Sequence, residues 1–192
     1  EPIKIKVNEE QIVPRATTLM KVRPPLLITI LLDATDSMQP HIDKCKKYLK
    51  QLVAKTMQKV TQLKIYFQII AYRDFSENEQ MVEPYPITDS LVSATSNIGG
   101  IKAFGGCDPN ENISIGFETA LRTIDEFKKR ESSSKHIFIL VADSPNHDED
   151  INTVVDGKTF YGSDVYIHAN KDGVPWKDVW LHIDEKMKEL DI

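Results

Sequence analysis

The chain has 192 residues, 41% of them hydrophobic and 28% charged, with a formal net charge of -5. That length is one domain, or one domain with an extension, and it buries about 70% of the unfolded surface without staples. The acidic balance argues against a nucleic-acid surface, and the longest apolar run, Leu26 to Leu32, falls far short of the ~20 residues a membrane helix needs.

Two cysteines, Cys45 and Cys107, make neither a disulfide framework nor a four-ligand zinc site. Free thiols suit a reducing compartment, so the expectation is cytoplasmic, with a single bridge in a secreted protein as the alternative. The first residue is Glu1, which reads as a processed or trimmed start.

Residues 1–25 read as an N-terminal extension, broken by Pro14, Pro24 and Pro25. Within it Ile3 to Val7 alternates apolar and charged residues, the pattern of a half-exposed edge strand. Leu26 to Leu32 is apolar on both faces and ends in Asp33, as in a central parallel strand. Residues 40–60 predict an amphipathic helix, with Ile42, Cys45, Leu49, Leu52, Val53, Met57 and Val60 recurring at three- and four-residue spacing. Leu63 to Tyr72 predicts a second buried strand, followed by Arg73-Asp74. Pro84 and Pro86 demote 82–87 to an edge strand, and Thr88 or Asp89 caps a short helix through Ile98. Phe104 to Asp108 is a tight loop, and 111–128 predicts a second amphipathic helix. Lys135 to Ala142 predicts a third buried strand, ending in Asp143. Residues 144–175 form a long polar insertion, and Trp176 to Leu190 closes with a helix. Strands alternating with helices imply an α/β fold: a doubly wound, mostly parallel sheet with helices on both faces. Such a sheet would normally continue with another strand after the closing helix, so the expected fold lacks its last strand.

Three strands thus end in acids: Asp33, Asp74 and Asp143. Ligands of open parallel sheets bind beyond the carboxyl ends of the strands, so these carboxylates line one edge. In an extended turn Asp33, Thr35 and Ser37 face one point. Gly105 and Gly106 let a second loop approach closely, bringing Asp108 to the same edge. Carboxylate and hydroxyl oxygens without sulfur or imidazole suit a hard cation, Mg²⁺ first and Mn²⁺ second. Taken singly, each acid is equally a cap or turn residue. Asp74 reads as a partner of Arg73 or a turn cap rather than a ligand.

The segments LLITILLDATDSM, IIAYRDF, GGCDPNEN and ILVADSP, in this order and spacing, resemble a von Willebrand factor A (vWA) domain. More narrowly they resemble the vWA domains found beside alpha-type protein kinases. The likeness runs from Leu26 to His147, and residues 26–192 are read as the vWA-like domain. The resemblance implies a Rossmann-like fold with a metal-ion-dependent adhesion site on Asp33, Thr35, Ser37, Asp108 and Asp143. It implies a non-catalytic module in which the ion keeps an open position for an Asp or Glu of a partner protein. Targeting or regulation of a kinase or of a multi-protein complex follows. Asp36 stands where the family usually has Gly, and it either adds a carboxylate or points to solvent. Asp36, Asp74, Gly105 and Gly106 are the expected surroundings of the ion.

Rival readings are weaker. A metal-dependent hydrolase or phosphotransferase on the same acids lacks an identifiable base and phosphate cradle. A phosphatase with a strand-end nucleophile has its second Asp two residues after the first, whereas Asp36 is three after Asp33. An EF-hand starting at Asp108 fails, because its twelfth position is Thr119. A structural interaction domain without metal is the third alternative. The lysine runs at 44–47 and 128–130 read as solvated helix faces.

Overall fold

The computed structural model describes residues 23–59, 63–74, 80–106, 110–146, 152–155, 157–161 and 176–192. The expected strand at residues 3–7 lies outside them. Strand β1 (Leu26–Asp33) leads through a single 3₁₀ turn (Asp36–Met38) into helix α1 (Gln39–Lys59). Strands β2 (Ile65–Tyr72) and β3 (Val82–Pro84) follow, then helices α2 (Leu91–Gly100) and α3 (Ile113–Lys128). Strand β4 (Lys135–Val141), a hairpin of β5 (Asn152–Val155) and β6 (Lys158–Tyr161), and helix α4 (Trp176–Glu189) complete the order.

The main sheet runs β3-β2-β1-β4. β1 pairs in parallel with β2 and β4, while β3 is an antiparallel edge. The fold is therefore α/β and Rossmann-like, with a mostly parallel sheet between helices. Strand alternation assigns the layers. Ile28, Ile30 and Leu32 of β1 pack with Phe67 and Ile69 of β2 against Met38, Ile42 and Leu49 on one side, joined by Ala94 and Ile98 of α2. Leu27 and Leu31 face the other side, where Leu121, Ile124 and Phe127 of α3 meet Val179 and Ile183 of α4. On this side the Thr29 hydroxyl donates to Gln68 Oε1 at 2.7 Å, and the Gln68 amide reaches the Ala120 carbonyl at 3.5 Å. That chain of partners is what lets two polar side chains sit inside the core.

Four expectations change in detail. Ser90, not Thr88 or Asp89, caps α2, accepting from the Ser93 N–H at 3.1 Å. α3 begins at Ile113 behind an Asn112 cap, so Glu111 precedes the helix. The 144–175 segment is not one loop, since it contains the β5–β6 hairpin with Gly157 at φ +76° in its turn. Finally, β4 is not buried on both faces. It forms the sheet edge among the described residues, and Ile137 and Leu140 are each 45% exposed.

The register sets the functional edge. Asp33 lies opposite Tyr72, and Leu32 lies opposite Val141, so the three parallel strands end level. Leu31, fully buried between β2 and β4, locks that register. Leu31→Ala is expected to lower unfolding stability by about 2–5 kcal/mol. A urea titration checks this, and a loss under 1 kcal/mol would show that β1 is not the packing centre.

Candidate functional site

Asp33 closes β1 with its side chain carried into the interior, 0% exposed. The Thr35 N–H and the Thr35 hydroxyl both donate to its Oδ1, at 2.9 and 2.7 Å. The chain then turns: the Met38 N–H donates to the Thr35 carbonyl at 3.0 Å, closing the 3₁₀ turn. Oδ2 of Asp33 is buried and has no hydrogen-bond partner. Burial pushes the Asp33 pKa up, the Thr35 donors and Arg73 pull it down, and the nearby charge of Asp143 adds to the rise. An unmatched buried oxygen costs about 1–3 kcal/mol, more when charged.

Tyr72, opposite Asp33, is also fully buried, and its hydroxyl is likewise unmatched. Its pKa is pushed up first by burial, then by Asp33, Glu111 and Asp143. The phenol therefore stays protonated where the fields of three carboxylates converge. Sequence reading missed Glu111, which it took for the start of a helix. Glu111 is 3% exposed, and its N–H donates to the Pro145 carbonyl at 2.9 Å. The Asn146 side chain accepts from the Ser114 N–H at 3.0 Å, so the loop after β4 is tied to the start of α3. Asn112 and Ser114 are buried in this junction.

The glycine loop runs beside the first loop. The Phe104 N–H donates to the Ala34 carbonyl at 3.0 Å, and the Asp36 N–H donates to the Gly105 carbonyl at 3.2 Å. Gly105 and Gly106 have φ of +80° and +82°. A Cβ on Gly106 would lie 3.0 Å from Glu111 Oε1 and 3.2 Å from Thr35 Cβ. Glycine is thus required by both backbone and space.

Arg73 holds this loop from the other side, with a side chain 1% exposed. Its guanidinium donates to the Gln80 carbonyl at 3.1 Å and to the Lys102 carbonyl at 2.9 Å. It also pairs with Glu83 at 3.5 Å and stacks over the Phe104 ring at 4.1 Å. Arg presents five donors, which two carbonyls and a carboxylate share here. Arg73 is a positioning residue that the sequence marked only by its place after the second strand.

The expected site residues are distributed as follows. Asp33 and Thr35 come together in the interior, and Asp74 is buried nearby in sequence after β2. Asp36 and Ser37 are exposed on the 3₁₀ turn. Asp143 is exposed, accepts from the Ser144 hydroxyl at 3.3 Å, and acts on Asp33 and Tyr72 through its charge. Asp108 and Cys107 lie outside the described residues. Among the described residues no group of three His, Cys, Asp or Glu side chains is close enough to hold a metal ion. The orphaned Asp33 Oδ2 nevertheless suits a hard cation: it is a desolvated carboxylate oxygen whose deficit a positive charge would fill.

No protein-family model matches the chain. It is 27% identical over 129 residues to the alpha-protein kinase vwkA of Dictyostelium discoideum, covering 67% of this chain. The chain spans about 20% of the length of that relative. Its fold is similar to the pilus adhesin SpaC of Lactobacillus rhamnosus GG in its open conformation, at TM-score 0.50 and 14% identity, covering 71% of this chain and 17% of the adhesin. A second structure of the same adhesin aligns at TM-score 0.49 and 13% identity, over 73% of this chain and 18% of that one. These structural likenesses bear on the fold alone.

Two predictions test this geometry. With its raised pKa, Asp33 favours folding most below the ordinary carboxylate range, and that contribution declines as pH rises through the raised value. Asp33→Asn keeps an acceptor for Thr35 without the charge. In chelator at neutral pH it is expected to melt at or above wild type, with a flatter Tm between roughly pH 4 and 7. A clearly lower Tm would show that the carboxylate is not strained by desolvation. Gly106→Ala is expected to cost about 1–2 kcal/mol from its φ alone. Denaturant unfolding at unchanged slope measures it, and a neutral result would contradict the close packing of the two loops.

Proposed function

We propose that this chain is a non-catalytic, vWA-like protein-interaction module with a divalent cation site at the carboxyl edge of its sheet, Mg²⁺ being the first choice and Mn²⁺ the second. The observation that carries the reading is the fully buried Asp33 with one oxygen satisfied by Thr35 and the other unmatched. The partial likeness to an alpha-protein kinase named vwkA supports an interaction role beside a kinase. We read the partner as a protein presenting an acidic side chain, and the setting as cytoplasmic, with the module targeting or regulating a kinase or a multi-protein complex.

The residues divide the work. Asp33 would hold the ion through Oδ2, while Thr35 fixes the rotamer of the carboxylate through Oδ1. Ser37, Asp108 and Asp143 are the further oxygen donors of the reading, reached directly or through water. When bound, the cation supplies a coordination position for a partner's carboxylate. Arg73 and the two glycines keep the loops apart at the right spacing. The protonated Tyr72 hydroxyl lowers local repulsion by remaining neutral among acids. Asp36, exposed on the turn, adds a negative charge that a purely acidic ligand must overcome.

Thermal melting with Mg²⁺, Mn²⁺, Ca²⁺ or EDTA tests the site. At a hundredfold excess over its dissociation constant, an ion that binds only the folded state adds about 2.7 kcal/mol. For a domain of this size that is roughly 5–10 °C. The shift is expected with Mg²⁺ or Mn²⁺ and lost in Asp143→Ala. Equal melting in EDTA and in every ion would remove the cation from the mechanism and leave an interaction module that works without metal.

A further inference from the structure

Two buried oxygens at the strand ends have no hydrogen-bond partner: Asp33 Oδ2 and the Tyr72 hydroxyl. Their residues are opposite each other in the parallel register of β1 and β2, and both are 0% exposed. Tyr72 packs with Leu31, two residues before Asp33, so the two side chains share one face of the sheet. One polar group between them would serve both. A carboxylate oxygen only accepts, whereas a phenol oxygen donates and accepts. A hydrated cation fits that pair: the carboxylate takes the ion, and a water polarised by the ion donates to the phenol.

Glu111 comes to the same place from another element. Its backbone is fixed by a bridge to Asn146 and by its N–H bond to the Pro145 carbonyl, just ahead of α3. α3 lies close against β2 because Gly116 carries no Cβ, and one added there would stand 3.1 Å from Tyr72 Cδ1. Glu111 is 3% exposed. Its Oε1 and the Thr35 Cβ lie 3.0 and 3.2 Å from one point, the position of a Cβ on Gly106. Thr35 in turn holds Asp33. The Glu111 carboxylate thus adjoins the Asp33–Thr35 pair, on the side that the glycine leaves open. The charges acting on the Tyr72 hydroxyl are those of Asp33, Glu111 and Asp143, all of one sign. Like charges gathered in a desolvated space call for a cation among them. Mg²⁺ keeps several waters and needs only one or two carboxylates, so Asp33 and Glu111 suffice. Ser37, by contrast, is exposed on the 3₁₀ turn.

We propose that Glu111 is a ligand of the cation at the strand ends, the second buried carboxylate beside Asp33, with the Tyr72 hydroxyl accepting from a water on the ion. Glu111 has this role only if the cation of the proposed function binds, and the test separates the two. Two internal carboxylates balance the double charge of the ion, so it binds the free domain before any partner supplies an acid.

The test uses the whole chain and Mn²⁺ alone. Electron paramagnetic resonance counts the free ion, and water-proton relaxation counts the waters on the bound one. Wild type is expected to bind Mn²⁺ with no partner present, and Asp33→Asn to abolish binding. Glu111→Gln keeps the side-chain shape. It is expected to weaken binding by about tenfold or more and to add a water to the bound ion, with Tm in EDTA at or above wild type. Glu111→Asp, which keeps a carboxylate, is expected to recover part of the affinity, and Tyr72→Phe to weaken binding less than Glu111→Gln with the water count unchanged. The role of Glu111 falls, and the cation reading stands, if Asp33→Asn abolishes binding while Glu111→Gln binds like wild type. It falls equally if Glu111→Gln binds more weakly with no added water, or if Glu111→Asp recovers nothing, since a packing role opens no coordination position. No Mn²⁺ binding to wild type overturns both, and binding that survives Asp33→Asn places the ion elsewhere and overturns both as well.

Discussion

The desolvated carboxylate of Asp33 is the point on which the rest of the structure turns. β1 is buried along seven of its eight residues, and its last residue is an acid that the strand carries inward with it. A charge in that position is costly, so the surroundings have been fitted to it. Thr35 spends both its donors on one oxygen, Tyr72 presents a neutral phenol, and Arg73 contributes a favourable field from the next strand. The second oxygen is left over, buried without a hydrogen-bond partner.

The two loops that frame Asp33 depend on different physics. The glycine loop is held by backbone pairing to residues 34–36 and by an arginine that replaces missing secondary structure with carbonyl contacts. The loop after β4 is held by Asn146 and Pro145 against the start of α3. Glu111 and Thr35 both reach the space beside Gly106, so a change in either loop is transmitted to the other through direct contact. The surroundings of Asp33 are thereby tied to the packing of α3 as well as to β1.

β4 shows how composition and position part company. Its residues would suit the middle of a sheet, yet among the described residues it stands at an edge, half-exposed on each face. α1 beside it carries the molecule's main block of positive charge on a chain that is acidic overall. The sheet edge and the strand ends are thus two separate surfaces with different demands: apolar and basic at the side, anionic at the end.

Much was legible in the sequence because it rests on local rules. Apolar runs ending in Asp33, Arg73-Asp74 and Asp143 located three strands and the edge they share, and helical periodicity located α1, α3 and α4. Caps and exact starts moved by a residue or two, since Ser90 and Asn112 competed with equally good neighbours. Glu111 and Tyr72 could not be read, because an acid before a helix and a tyrosine ending a strand are ordinary until register sets them opposite Asp33. The sequence alone determined the strand-and-helix order and the acids at the strand ends, through side-chain periodicity and chain punctuation. Only the tertiary structure decided that Thr35 rather than Ser37 is buried with Asp33, that Arg73 binds the carbonyls of two loops, and that β4 is an edge among the described residues. Each of those depends on which distant segments share a few ångströms of space, and burial is a property of that sharing.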